Sequence, residues 1–383
     1  MGFQIDDSIV DYLEAVKEAE KNYVGIEGID VEDGDTNIGG AYNINDIRIE
    51  QKMLTVYQIE NWINSGMLNL HPEYRRSLVW NTQKKTSFIE SILLRLPLSA
   101  FWLDEDETGY KNVMDGMQRL NTIHEFIQNG FCLQKMHYLT GCDNMIFGEL
   151  PPIYQSYILE TILAVNILDE RCPQPIKFDI FQRMNSCGVK LSSQEIRNGM
   201  AKPLVRQLLD EMSSCEEFRK AIGGNIKNVR METQELCLRV ITFLYHFDWV
   251  HRRFLNYYGL QKTMDDMIIE LNLYYIQNDY QRILNDFKMA MRQAHIILKN
   301  DNFSKPGKRW VNASLFTSWA VALINIKPSD EWIKKHADEI YASYRKKLEE
   351  KTAFYHAVTA STGSKQNILT ALEAIRKILE RII

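Results

Sequence analysis

Two hydrophobic periods alternate along the chain before position 203, and only one continues after it. Val56, Ile59, Trp62 and Ile63 recur at helical spacing behind Thr55 and Gln58, which form a capping-box pattern. Gly66–Leu70 reads as a short strand. From Gln83 to Leu96 the apolar Phe88, Ile89, Ile92, Leu93 and Leu96 mark a second helix, which Pro97 ends. Ser99–Leu103 and Tyr110–Met114 read as strands on either side of an acidic turn, Asp104–Gly109. After Asp115-Gly116 the positions Met117, Leu120, Ile123 and Ile127 place one buried stripe on a third helix. Pro151-Pro152 introduces a helix over 153–160. Ile162–Leu168 is a strand, Lys177–Met184 a helix, Asn185–Gly188 a turn, and Ser192 with Glu195 caps a further short helix. Beyond Pro203 only the 3.6-residue period remains, as in Ile283, Leu284, Phe287, Met291, Ala294 and Ile297, and later Ile368, Leu369, Leu372, Ile375 and Ile382.

The pattern predicts an α+β chain: a small mixed α/β domain over 44–202, then an all-helical domain over 203–383. Ahead of them, 6–22 carries a short helical stripe of Ile9, Val10, Leu13 and Val16. Residues 25–40 hold five glycines and five acidic side chains, a composition expected to form a solvated tether. Residues 1–43 are therefore read as a helix plus tether. The 383 residues are 45% hydrophobic and 25% charged, ordinary for a globular protein. A net charge of −5 supplies no general attraction to nucleic acid or acidic membrane, so any such contact must be local. Six scattered cysteines without CxxC spacing argue for a reducing compartment and against a zinc site. No stretch approaches the roughly eighteen uncharged apolar residues of a membrane span, and a cytoplasmic location without membrane contact is expected.

Four stretches carry candidate chemistry. At Asp115-Gly116 a strand feeds a helix, with Asp115 as expected N-cap and Gln118 placed to complete a capping box. A helix start favours an anion, Gly116 lets a ligand approach the backbone, and Arg119 offers a planar fork suited to phosphate. The same residues also describe an ordinary capped helix with a solvated arginine. Tyr74, Arg75, Arg76 and Trp80 form a cationic turn suited to phosphate. Arg183, Asn185, Glu195, Arg197 and Asn198 crowd polar groups around the turn at Gly188. Lys305, Lys308 and Arg309 surround Pro306-Gly307, with His251-Arg252-Arg253 upstream; these read as surface charge first and a DNA or partner contact second. The chain lacks GxxxxGK[ST], HExxH, GxSxG and GxGxxG. His124 and His295 lie on or beside apolar helical faces and read as core or boundary residues.

Taken in order, Y-x-R-x-x-V-W at 74–80, ESILLRLP at 90–97, D-G-x-Q-R-L-x-T-I at 115–123 and F-x-R-x-N-x-x-G-x-x-L-S-x-x-E-I-R-N at 181–198 form one set. This set resembles the bacterial defence family typified by the GmrS half of GmrSD restriction enzymes and the N-terminal domain of SspE. The resemblance covers about 50–200. It implies a ParB/sulfiredoxin-like fold that binds and hydrolyses a nucleoside triphosphate with Mg²⁺ and works with an HNH-type nuclease. Matched by position, Arg76, Gly116, Arg119, Arg183, Asn185 and Arg197 would hold the nucleotide, and Asp115, Gln118 and Glu195 would serve catalysis or the metal. The sequence departs from the family's D-G-Q-Q-R at Met117 and from its Y-Q-R at Arg75. Methionine can neither orient a water nor donate to phosphate, so binding without turnover, by a ParB-like module sensing nucleotide or DNA, is the alternative expectation. Residues 200–383 contain no histidine-rich nuclease signature, and cleavage by this chain alone is not expected.

Overall fold

The computed structural model describes residues 26–29, 47–70, 80–184, 192–224, 231–350 and 352–381. The helix expected over 6–22 and the candidates Arg76 and Asn185 lie outside these ranges. The chain divides into two compact units, one formed by 39–190 and the other by 1–38 with 191–383.

The first unit is built on five strands: β1 (Ile49–Thr55), β2 (Leu68–Asn69), β3 (Phe101–Glu105), β4 (Lys111–Asp115) and β5 (Ile162–Leu168). Their order in the sheet is β1-β5-β3-β4-β2. The β1·β5 and β3·β4 pairs are antiparallel, whereas β5·β3 and β4·β2 are parallel, so the sheet is mixed. Helices α1 (Val56–Asn64), α2 (Thr82–Leu93), α3 (Met117–Ile127) and α4 (Pro152–Glu160) bury their stripes against one sheet face. That face supplies Phe101, Leu103, Val113, Leu163, Val165 and Ile167, the alternate positions of three adjacent strands. Each such side chain contributes about 2 kcal/mol relative to an exposed one. Asp104, of opposite parity on β3, pairs instead with Lys177 of α5 (Gln174–Met184). Lys177 is only 1% exposed, so its charge depends on that partner.

The second unit contains α6 (Ser193–Met200), α7 (Pro203–Ser214), α8 (Glu216–Ala221), α9 (Glu232–His246), α10 (Leu260–Glu270), α11 (Ile276–Leu298), α12 (Ala313–Ile326), α13 (Asp330–Glu349), α14 (Ala353–Thr359) and α15 (Lys365–Glu380). Every residue of α12 from Ala313 to Ile324 is buried, as expected for a helix surrounded by others. Two small strand pairs depart from the all-helical expectation, Phe247–Asp248 with Arg253–Phe254 and Ile26–Glu27 with Val311–Asn312. The second pair lies in the stretch read as a tether. There Glu27 pairs with Lys305 at 2.6 Å and the Gly28 carbonyl accepts from Arg239 at 2.7 Å, two contacts that fix an otherwise polar segment.

One buried carboxylate ties the first unit's second helix to the loop beyond α3. Glu90 accepts from the backbone N–H groups of His137, Tyr138 and Leu139 at 3.1, 2.7 and 3.0 Å. Burial pushes its carboxyl up, but the three donors outweigh burial and hold it below the ordinary glutamate range. Because the folded value is depressed, this stabilisation is present above the ordinary glutamate pKa and is lost as pH falls through the folded one. Glu90→Gln is expected to destabilise the protein by about 1–3 kcal/mol at neutral pH and to lessen its acid sensitivity, as read by urea unfolding at neutral and acid pH.

Candidate functional site

The turn from β4 into α3 is built by a bulge, a glycine and an arginine. In the β3·β4 pairing Trp102 faces Asp115 and Leu103 faces Val113, which leaves Met114 as an extra residue. The bulge lets Val113 and Met114 both be buried while Asp115 emerges, its side chain 58% exposed. Gly116 follows at φ +94°, in the left-handed region. A Cβ there would meet Phe101 Cδ1 at 2.4 Å, so the turn needs glycine for close packing on a ring as well as for its backbone angle.

The expected capping box does not form. Gly116, rather than Asp115, is the N-cap of α3, and no side chain caps it. Asp115 belongs to β4, one residue too early to cap, and its carboxylate turns to Arg119 Nη2 at 3.3 Å. The first helical bond of α3 runs from Leu120 N–H to the Gly116 carbonyl, and the glycine N-cap brings no side chain of its own to the N–H donors and positive dipole end of the helix.

Arg119 is engaged within the protein. Its Nη1 donates to the Ser99 carbonyl and to Ser99 Oγ at 2.7 Å, and Nη2 donates to the Ala100 carbonyl at 3.1 Å. The guanidinium also lies over the Phe101 ring, 4.2 Å from its centroid. Burial lowers its pKa and Asp115 raises it again, and it stays charged at neutral pH. Arg119 therefore fastens the amino end of α3 to the entry of β3. Met117 is 2% exposed and belongs to the hydrophobic core, so the departure from the family motif falls on a packing position. The Gln118 backbone carbonyl accepts from Thr122 Oγ1 at 2.7 Å. His124 pairs with buried Glu60 at 2.9 Å, a boundary residue as expected.

Asp115, Gly116, Gln118 and Arg119 are thus brought together on one turn. Arg183 is exposed in the last turn of α5, in the same unit. Glu195 and Arg197 stand on α6 in the helical unit. Glu195 completes the predicted capping box, accepting from Ser192 N–H at 2.7 Å. Arg197 is fully buried, with Nε on Asp265 at 2.7 Å and Nη2 on the Gln261 carbonyl at 3.1 Å. Burial pushes the Asp265 carboxyl up against the pull of Arg197. Among the described residues no group of three or more His, Cys, Asp or Glu could by itself hold a metal ion, and no helix is long and apolar enough to cross a membrane. Ser99 and Phe101, on which the turn rests, carry no signal in the sequence, because their link to Arg119 spans about twenty positions and involves backbone carbonyls.

Residues 59–201 match the family model described as GmrSD restriction endonuclease, N-terminal domain. This stretch is a GmrSD-type domain. The GmrSD-type match encloses the whole Asp115–Arg119 turn, extends through α6, and marks the chain as a component of a restriction-type defence system. No curated protein and no solved structure matches the chain.

The two charged groups of the turn should behave differently when removed. Arg119→Ala leaves the Ser99 and Ala100 carbonyls without their donor and is expected to cost about 2–3 kcal/mol in chemical unfolding. Asp115→Ala, at an exposed pair, is expected to stay within about 1 kcal/mol of wild type. Arg119→Lys should recover only part of the loss, since a point charge cannot serve both carbonyls in the plane of the fork.

Proposed function

We propose that the GmrSD-type domain binds a nucleoside triphosphate with Mg²⁺ at the turn joining β4 to α3, and that the chain is the nucleotide-dependent regulatory component of a restriction system with an HNH-type nuclease as partner. The observation that carries this reading is the placement of the motif at 115–119. It lies inside the matched range, at a helix start whose N-cap is a glycine, beside an exposed carboxylate. A phosphate takes the backbone N–H donors and positive dipole end of α3. Gly116 and Phe101 hold those donors in a fixed orientation, so little conformational freedom is lost on binding.

The residues present fit Mg²⁺ held mainly by the nucleotide. This ion commonly takes one or two protein carboxylates together with phosphate oxygens and water, and Asp115 supplies one exposed carboxylate. Bound Mg²⁺ would draw off phosphate charge. Arg119 acts as a positioning residue in this account, holding Asp115 and the entry of β3, while Arg76 and Arg183 are the cations proposed for the remaining phosphates. Gln118 is the polar side chain of the turn proposed to orient a water. Glu195 and Arg197 stabilise α6 and the helical unit.

Buried Met117 favours a second reading, in which the domain senses nucleotide without turning it over. Both readings share the binding site and differ in phosphate release. Calorimetric titration with each ribonucleoside triphosphate, with and without Mg²⁺, is expected to give saturable binding that Asp115→Asn weakens by about tenfold or more in the presence of Mg²⁺. Binding that is identical in the variant removes Asp115 from the site. Phosphate release measured on the same samples separates hydrolysis from sensing.

A further inference from the structure

The helical unit carries a surface cleft of about 510 Å³ between the turn after α8 and the end of α11, with Arg219, Lys220, His295, Lys299 and Asn302 on its walls. Gly223 stands at φ +84°, and a Cβ there would meet the side-chain Nδ2 of Asn302 at 2.3 Å. Two of its cations are already paired, Lys220 with Glu216 at 2.7 Å and Lys299 with Asp338 at 2.6 Å. Arg219 forms no ion pair with a described residue, and its side chain is exposed.

Asn302 leads directly into a loop that presents more unpaired charge. Buried Phe303 is followed by Ser304, which bridges to Val311, and Lys308 N–H bonds to the Lys305 carbonyl at 3.0 Å to close the turn around Pro306-Gly307. Lys305 is held by Glu27, but Lys308 and Arg309 are exposed and form no ion pair with a described residue. Beside them Trp310 leaves 52% of its surface in water, although Val311 next to it is fully buried. Two peptide steps, the bridge and one more step separate Asn302 from Trp310, so their Cα atoms lie within about 17 Å.

Unpaired cations beside an exposed indole combine the two contacts by which single strands are held, phosphate neutralisation and base stacking. A carboxylate-bearing peptide would satisfy the cations without using the flat face of Trp310. We infer that this face of the helical unit docks a single-stranded nucleic acid, with phosphates on Arg219, Lys308 and Arg309 and an unpaired base on Trp310. The net charge of −5 opposes the approach of any polyanion, so docking depends on these few side chains and is strongly weakened by salt.

The test is fluorescence anisotropy of the full chain with labelled single-stranded DNA and RNA of about 20 nucleotides and with the matching duplex, across roughly 50 to 200 mM salt. Single-strand affinity is expected to fall with salt at a log–log slope of about −0.7 for each phosphate neutralised. The double variant Lys308→Ala/Arg309→Ala should flatten that slope by about 1.4. Trp310→Ala should lose about tenfold in affinity with the slope unchanged, and Trp310→Phe should keep most of it. Equal melting temperatures would show that these exposed positions leave the fold intact. Binding of either strand with these responses supports the assignment. Absence of single-strand binding, variants indistinguishable from wild type, or tighter duplex binding indifferent to Trp310 would overturn it.

Discussion

The candidate site depends on the contact between the Phe101 ring and the backbone of Gly116. The ring lies so close that no side chain fits at Gly116, and the left-handed backbone there turns the chain from β4 into α3. Arg119 lies over the same ring and reaches past it to the Ser99 and Ala100 carbonyls. One aromatic side chain thus sets the turn, the direction of the helix and the position of the arginine. Asp115 stays exposed because the bulge buries its two predecessors instead. The result is a helix start with a carboxylate beside it, held by contacts to Phe101, Ser99 and Ala100.

Local signals in the chain were readable where a single turn contained all the participants. Thr55 with Gln58 and Ser192 with Glu195 both form the capping boxes that their spacing predicts. The stripe Met117, Leu120 and Ile123 is buried, and the sheet strand Ile162–Leu168 has the predicted bounds. The Asp115–Gln118 spacing has the same form but does not cap, because the β3·β4 pairing keeps Asp115 in the strand and passes the N-cap to Gly116. Spacing cannot register that competition. The partners of Arg119 at Ser99 and of Lys177 at Asp104 are also invisible in sequence, since both are set by how strands are ordered in the sheet.

The family motif contains residues of two physical kinds. Asp115 faces solvent, whereas Gly116, Met117 and Arg119 build the support beneath it. Glu195 and Arg197 are likewise support: one closes a capping box and the other sits in a buried ion pair. A motif shared by a family therefore reports scaffold as well as chemistry. Met117, where the resemblance led to the expectation of glutamine, is at a supporting position, where volume and apolar surface matter.

The account's central claim is that a triphosphate is held by the backbone at the start of α3. Hydrogen–deuterium exchange of the full chain, with and without a Mg²⁺-nucleoside triphosphate at saturating concentration, tests it most directly. Protection concentrated in peptides covering 115–120, and weakened in Asp115→Asn, is the predicted result. Nucleotide binding that leaves exchange at 115–120 unchanged would contradict it.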